Sequence, residues 1–230
     1  MNKAFPVFGV LTAILLSYAL YLALVTAPTE QTMGDVQRIF YYHVPSAWTA
    51  FILFFINFVA SIVYLIKRNP GADMVALVAA EVGVVFCTVV LITGPIWARP
   101  VWGIWWTWDV RLTSTLVLWL IYVSYLVLRR FSSSGQAPVL AAALAVFGAL
   151  DVPLVYFSIW FFRTQHPQPV MGGGGSIDPR MLHVLLMNWL AFSCFAFLVC
   201  WSRYRLEKLQ REVDQAHAFE SLKDVPRSDR

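Results

Sequence analysis

Apolar residues dominate six stretches of the chain, and polar residues, glycines and prolines gather between them. The stretches cover residues 7–25, 48–66, 74–91, 112–128, 139–162 and 183–201. Each is close to the ~20 residues that an α-helix needs to cross ~30 Å of hydrocarbon. Unpaired backbone groups cannot face lipid, so helices are the expected form of these stretches. The pattern predicts an all-α, polytopic membrane protein with six transmembrane helices.

Composition supports a membrane protein and excludes an ordinary soluble domain. Hydrophobic residues make up 59% of the chain and charged residues only 13%, with a mean hydropathy of +0.66. Soluble domains carry about 25% charged residues. The net charge of +4 comes from bases that flank the apolar stretches and form no single patch. Membrane lipid is therefore an expected partner, and nucleic acid is not.

Basic residues are distributed unequally between the two sides of the predicted bundle. With six spans, 12 of the 17 bases fall on one side. The other side carries Arg38, Arg99, Arg111, Arg163 and Arg180. The positive-inside rule then predicts that both termini are cytoplasmic and that the loops 26–47, 92–111 and 163–182 are extracytoplasmic.

The chain divides into a six-span membrane domain, residues 1–203, and a cytoplasmic tail, residues 204–230. Alternating charges predict that the tail is helical at first and then disordered. The first stretch exceeds the 7–15 apolar residues typical of a signal peptide, so a retained helix is expected. The glycine run at 172–175 is expected to be a flexible hinge, because the Lys-Ser/Thr of a phosphate loop does not follow it.

Five of the ten tryptophans fall within the twelve residues from 97 to 108. They are Trp97, Trp102, Trp105, Trp106 and Trp108. This density exceeds what an interfacial aromatic belt requires and predicts an extracytoplasmic aromatic platform for a large, planar, apolar ligand. Gly94, Pro95, Pro100 and Gly103 are expected to break regular helix there, which favours a loop or a short interfacial helix.

Three of the four histidines, His43, His166 and His183, map to the same outer side as the tryptophans. Imidazole is a common iron ligand, and haem accepts one axial donor on each face. Two histidines on separate loops beside an aromatic platform could meet that requirement. For each histidine taken alone, a solvated surface role is an open alternative.

Charged residues in the outer loops could complete a haem site. Guanidinium pairs well with carboxylate, so Arg38, Arg99 and Arg111 are candidates for binding the haem propionates. Water-exposed loop charges or lipid-headgroup contacts are equally open alternatives. Asp109 closes the tryptophan stretch and could belong to the site, or it could simply cap the fourth helix.

Two carboxylates fall inside predicted spans, where they are costly and suggest function by default. Glu81 lies in the third stretch and Asp151 in the fifth. Structural roles are nevertheless expected for both. Glu81 would bridge helices, and Asp151 would satisfy the backbone around a kink at Pro153.

The residues resemble a known family of haem-handling membrane proteins with a tryptophan-rich "WWD" signature. The segment WGIWWTWDVRLTS (102–114) carries this signature. With RIFYYHVPSAW (38–48), DVPLVYFSIWFFRTQHPQPV (151–170) and SIDPR (176–180), the chain resembles the haem exporter protein C family of bacterial cytochrome c maturation. The larger haem lyase relatives share the tryptophan motif but need more spans than 230 residues allow.

The resemblance implies a function and its partners. Family members bind b-type, non-covalent haem on the periplasmic side of the bacterial inner membrane between two axial histidines, which match His43 and His166 here. His183 does not match a ligand position and is the second choice. The haem is presented to a periplasmic haem chaperone, which bonds covalently to a haem vinyl group. A two-subunit ATP-binding cassette transporter and a small single-span membrane protein are the usual partners, and any ATPase activity belongs to them.

Two other classes of function compete with haem export. A b-type electron-transfer cytochrome usually carries paired histidines within its spans, and no stretch here contains such a pair. A solute transporter with an aromatic gate is disfavoured because the chain lacks an evident internal repeat and has few intramembrane polar residues.

Overall fold

The computed structural model describes residues 4–132, 135–167 and 177–223 of the chain, and these are helical with short connections. Six segments are long and apolar enough to cross a membrane, which confirms the predicted all-α, six-span class. They are Ala4–Thr26, Asp35–Lys67, Pro70–Trp102, Val110–Phe131, Ala137–Phe161 and Pro179–Ser221. The glycine run at 172–175 and the last residues of the tail, 224–230, lie outside the described residues.

The described residues form seven α-helices, numbered in chain order. They are α1 (Ala4–Tyr21), α2 (Phe40–Lys67), α3 (Pro70–Trp102), α4 (Val110–Phe131), α5 (Ala137–Ala149), α6 (Asp151–Phe161) and α7 (Pro179–Lys223). A π-helical turn, Leu22–Thr26, continues α1, and a 3-10 helix, Asp35–Ile39, leads into α2.

Helices α2 and α3 extend beyond the predicted apolar stretches at the end of the bundle that carries the loops predicted to be extracytoplasmic, the outer end. Helix α2 already begins at Phe40, so His43 lies on a helix and not on a loop. Helix α3 continues to Trp102 and contains both Pro95 and Pro100, so the prediction of a broken, loop-like segment there was wrong up to residue 102. A transmembrane helix tolerates such prolines because neighbouring groups satisfy the freed carbonyls.

The fifth span consists of two helices. Helix α5 ends at Ala149 and α6 begins at Asp151, with Pro153 in its first turn. Proline has no N–H to donate to the carbonyl four residues earlier, and its ring crowds that carbonyl. The break therefore falls where Pro153 requires it, and Leu150 closes the junction with an N–H bond to the Phe147 carbonyl at 3.1 Å.

The main core lies between α2, α3 and α4. Phe54 of α2 and Tyr122 of α4 are fully buried and their rings stack with centroids 3.8 Å apart. Gly83 of α3 permits this packing, because a Cβ there would lie 2.7 Å from the Phe54 ring. A second apolar cluster joins the outer ends of α1, α2 and α7 through Ala23, Tyr41 and Leu185.

Ion pairs join α3, α4 and α7 at the opposite, inner end of the bundle. The nearly buried Asp73 carboxylate accepts hydrogen bonds from Arg129 at 2.9 Å and from Arg211 at 2.8 Å. Arg203 of α7 binds Glu81 of α3 at 2.8 Å, so Glu81 bridges two helices. Helix α7 continues through residues 204–223 without a break, and these pairs fix its position against the bundle.

We expect Asp73→Ala to lower the free energy of unfolding by about 3 kcal/mol, because it leaves two arginines without their shared buried partner. Thermal unfolding of the detergent-solubilised protein would measure the loss. The control is Glu212→Ala, which removes an exposed pair with Lys208 at 3.8 Å and should cost under about 1 kcal/mol. Equal losses in the two variants would contradict a buried, stabilising cluster.

Candidate functional site

A cavity of about 1060 Å³ opens between the outer ends of the helices. Its size lies at the upper end of the roughly 300–1,000 Å³ typical of ligand and cofactor pockets. Six of the predicted site residues line it: His43, His166, Arg111, Trp97, Trp102 and Trp106. The cavity thus brings together side chains from α2, α3, α4 and the segment after α6. His183 is not among its lining residues.

The rings of His43 and His166 both line this cavity and lie close to each other. Their centroids are 6.4 Å apart and their planes differ by 36°. Imidazole nitrogens bind metals at about 2 Å, so two rings that bind one iron from opposite sides have centroids about 6 Å apart. The described residues contain no group of three or more His, Cys, Asp or Glu that could hold a free metal ion. Two facing imidazoles suit a metal whose other ligands come from a macrocycle.

Both histidines use Nδ1 in hydrogen bonds within the protein. His43 Nδ1 lies 2.9 Å from the Thr93 hydroxyl of α3, and His166 Nδ1 lies 2.9 Å from the Pro167 carbonyl. A carbonyl can only accept, so His166 carries its ring proton on Nδ1, and its Nε2 has a free lone pair. Burial and the nearby positive charge of Arg111 lower the pKa of His166 from 6.5 to about 4. The ring is therefore neutral at physiological pH.

The five tryptophans separate into two groups. Trp97 and Trp102 lie on α3, pack edge to face at 5.2 Å, and line the cavity together with Trp106. The Trp106 indole N–H is buried and has no acceptor among the described residues. Trp105 and Trp108 are 59% and 77% exposed and are not part of the cavity wall. Three indoles therefore offer an apolar wall with one free donor, and two point outward.

The three predicted arginines differ in their surroundings. Arg111 lines the cavity and donates to the Val155 carbonyl at 3.2 Å. Arg38 lies outside the cavity wall and donates to the Ala23 carbonyl at 2.8 Å. Arg99 donates to the Gly103 carbonyl at the end of α3. Arg111 is thus the one of the three whose charge faces the space between the histidines.

Asp109 connects the tryptophan segment to the segment that carries His166. One carboxylate oxygen caps α4 by accepting from the Leu112 N–H at 2.8 Å. The other accepts from the Thr164 hydroxyl at 2.6 Å, and Thr164 in turn accepts from the His166 backbone N–H at 3.1 Å. Asp109 does not line the cavity. Its single carboxylate both caps α4 and binds the segment that carries His166.

The sequence matches the family model of haem exporter protein C over residues 1–219. This chain belongs to the haem exporter protein C family. The haem exporter protein C of Bradyrhizobium diazoefficiens is 36% identical over 214 residues, which cover 92% of this chain and 81% of that protein. The haem exporter protein C of Haemophilus influenzae is 30% identical over 221 residues, covering 92% and 87%. That of Escherichia coli (strain K12) is 32% identical over 188 residues, covering 81% and 74%.

Two threonines of this haem exporter protein C family member contact the facing histidines and were not predicted from the sequence. Thr93 contacts the His43 ring and Thr164 holds the His166 backbone. Arg180, a third residue missed as a site candidate, lines the cavity and pairs with Asp178 at 2.8 Å. Threonine inside or beside an apolar helix carries no signal of its own, because its hydroxyl usually bonds to its own helix.

We expect Thr164→Val to free the segment around His166, because it removes the bonds to both Asp109 and His166. A hydrogen bond to a charged group is worth about 1.5–3 kcal/mol, so amide hydrogen exchange in residues 162–167 should become at least about tenfold faster. Mass spectrometry would measure the exchange. The control is Thr107→Val, whose hydroxyl lies 3.3 Å from the same carboxylate and does not contact His166. Unchanged exchange in Thr164→Val would show that the segment is held by other contacts.

Proposed function

We propose that this protein holds haem at the periplasmic side of the bacterial inner membrane, between His43 and His166. It presents the haem for covalent loading onto a periplasmic haem chaperone during cytochrome c maturation. Membership in the haem exporter protein C family supports haem handling in general. The observation that carries the specific proposal is the 6.4 Å separation of the two imidazole rings.

The chemistry of the cavity suits haem as the cargo. Two neutral imidazoles supply the axial nitrogens, and haem is bound non-covalently as the b type. The indoles of Trp97, Trp102 and Trp106 supply an apolar, aromatic wall for the porphyrin. Cys87 is the one cysteine among the residues that line the cavity. Its thiol is buried in the helical core, so it does not compete for the iron.

The propionates of haem need positive or donating groups. Arg111 stands between the histidine-bearing elements and can turn its guanidinium toward a carboxylate, the geometry that guanidinium suits best. The unpaired Trp106 N–H offers a second donor to the same group. Arg38 and Arg99 are not among the residues that line the cavity, whereas Arg111 is. We therefore assign the first propionate contact to Arg111.

The chaperone must reach a haem vinyl group while the iron is still held. Trp105 and Trp108 expose most of their rings beside the cavity, and a partner that docks on this segment would cover them. In this proposal, Asp109 keeps the segment of residues 102–109 close to the segment that carries His166 through its bond to Thr164. The two-subunit ATP-binding cassette transporter and the small single-span protein are the further partners of this proposal.

The proposed orientation follows from charge. The predicted cytoplasmic side carries most of the bases, and the inner-end arginines Arg129, Arg203 and Arg211 belong to it. The membrane domain of residues 1–203 would then place the cavity in the periplasm, with α7 extending into the cytoplasm as the tail.

We expect His43→Ala and His166→Ala each to lose the low-spin spectrum and most of the bound haem, because iron would keep one axial ligand. His183→Ala is the matched control and should retain both. Oxidised and dithionite-reduced visible spectra of the purified variants, together with haem content, would measure this. Normal haem content and spectra in both single variants would show that the ligand assignment is wrong.

We also expect haem binding to persist as the pH falls from 7.5 to about 5.5. A water-exposed histidine with a pKa near 6.5 would be mostly protonated at the lower pH, whereas His166, with its pKa near 4, stays neutral. Haem binding is expected to persist because a lowered pKa means that the folded site binds the proton more weakly than a water-exposed imidazole does. Haem titrations at several pH values would test it, and a loss of affinity centred near pH 6.5 would contradict a partly buried, neutral ligand.

A further inference from the structure

Thr93 of α3 has a hydroxyl group that contacts two other groups at short range. Its oxygen lies 2.6 Å from the Val89 carbonyl of its own helix and 2.9 Å from Nδ1 of His43 on α2. A carbonyl oxygen can only accept a hydrogen bond, and a hydroxyl has one proton to give. The proton of Thr93 therefore points to Val89, and the lone pair of its oxygen faces His43.

A second threonine on the same helix shows the same arrangement. The Thr88 hydroxyl donates to the Val84 carbonyl at 2.8 Å and lies 2.8 Å from the indole Nε1 of Trp119. An indole N–H can only donate, so Thr88 must be the acceptor in that pair. Helix α3 thus uses a threonine twice, as an acceptor for a ring N–H from a neighbouring helix.

We propose that Thr93 is a positioning residue for His43, which it holds in the tautomer protonated at Nδ1 so that Nε2 binds the haem iron. This rests on the axial role proposed for His43. A neutral imidazole carries its proton on one of two nitrogens, and the protonated nitrogen cannot bind a metal. Hydrogen bonding at the other nitrogen fixes the tautomer and the ring orientation, and it raises the basicity of the ligand.

Gly94 borders the same ring at Cε1, the carbon next to Nδ1. A Cβ added at Gly94 would lie 3.4 Å from Cε1 of His43, so the imidazole lies close against the backbone of α3. Thr93 and Gly94 together hold the ring at Nδ1 and border it at Cε1. The free Nε2 is the atom left for the cavity, which both His43 and Gly94 line.

The test compares Thr93→Val and Thr93→Ser with Thr88→Val and His43→Ala, each as the full-length protein in detergent. Haem titration would give the dissociation constant, and redox titration would give the midpoint potential of the bound haem. We expect Thr93→Val to weaken haem binding about 10-fold to 100-fold, as is usual when the partner of a metal ligand is removed. The midpoint potential should rise, because a less basic imidazole stabilises ferric iron less.

Thr93→Ser keeps the hydroxyl and should show the wild-type dissociation constant and midpoint potential. Thr88→Val removes an equivalent hydroxyl away from the cavity and should leave both unchanged. Three results would overturn the proposal: wild-type values in Thr93→Val, a Thr93→Ser variant as weak as Thr93→Val, or equal losses in Thr88→Val and Thr93→Val. If His43→Ala itself keeps normal haem binding, the axial role of His43 fails instead, whichever way the threonine variants behave.

Discussion

An iron atom that is bound from both sides needs two imidazole nitrogens on one axis, with space between them for a flat macrocycle. In this protein the two rings come from distant parts of the chain, α2 and the segment after α6. Their spacing of 6.4 Å therefore depends on the contacts that hold each histidine against the neighbouring helices. Helix α3 holds one ring through Thr93, and the cap of α4 holds the backbone of the other through Asp109 and Thr164. The outer half of the bundle is organised around keeping this gap.

The two ends of the bundle are stabilised by different physical means. At the inner end, Asp73 and Glu81 pair with arginines of α4 and α7 and fix the helices relative to one another. At the outer end, an apolar cluster joins α1, α2 and α7, and beside it the cavity interrupts the packing, so that hydrogen bonds from single side chains hold the two histidines. A site that must accept and release a bulky cargo cannot be filled by its own core.

The six spans could be predicted from the sequence because hydrocarbon permits few backbone conformations. The outer limits of the spans could not, because Pro95 and Pro100 mark a helix end in water but are tolerated within α3. Residue type and side made His43, His166 and His183 candidates, and only the family resemblance singled out His43 and His166. For Asp109, both a helix cap and a site role were open from the sequence. Its carboxylate serves as the cap and also binds Thr164. The partner of His43 was beyond prediction, since Thr93 is separated from it by 50 positions and looks like any other threonine in a helix.

The length of α7 gives the protein a mechanical property. The helix runs unbroken for 45 residues, which at about 1.5 Å per residue is roughly 67 Å. Arg203, near the middle of its length, and Arg211, about three quarters of the way along, bind it to α3, and Met181 at its outer end forms part of the cavity wall. Beyond Arg211 only twelve residues follow, about 18 Å at this rise. Because the helix is unbroken and its outer part packs against α1, α2 and α3, a force applied to this inner extension acts on the helices that surround the cavity and is not lost in a flexible joint.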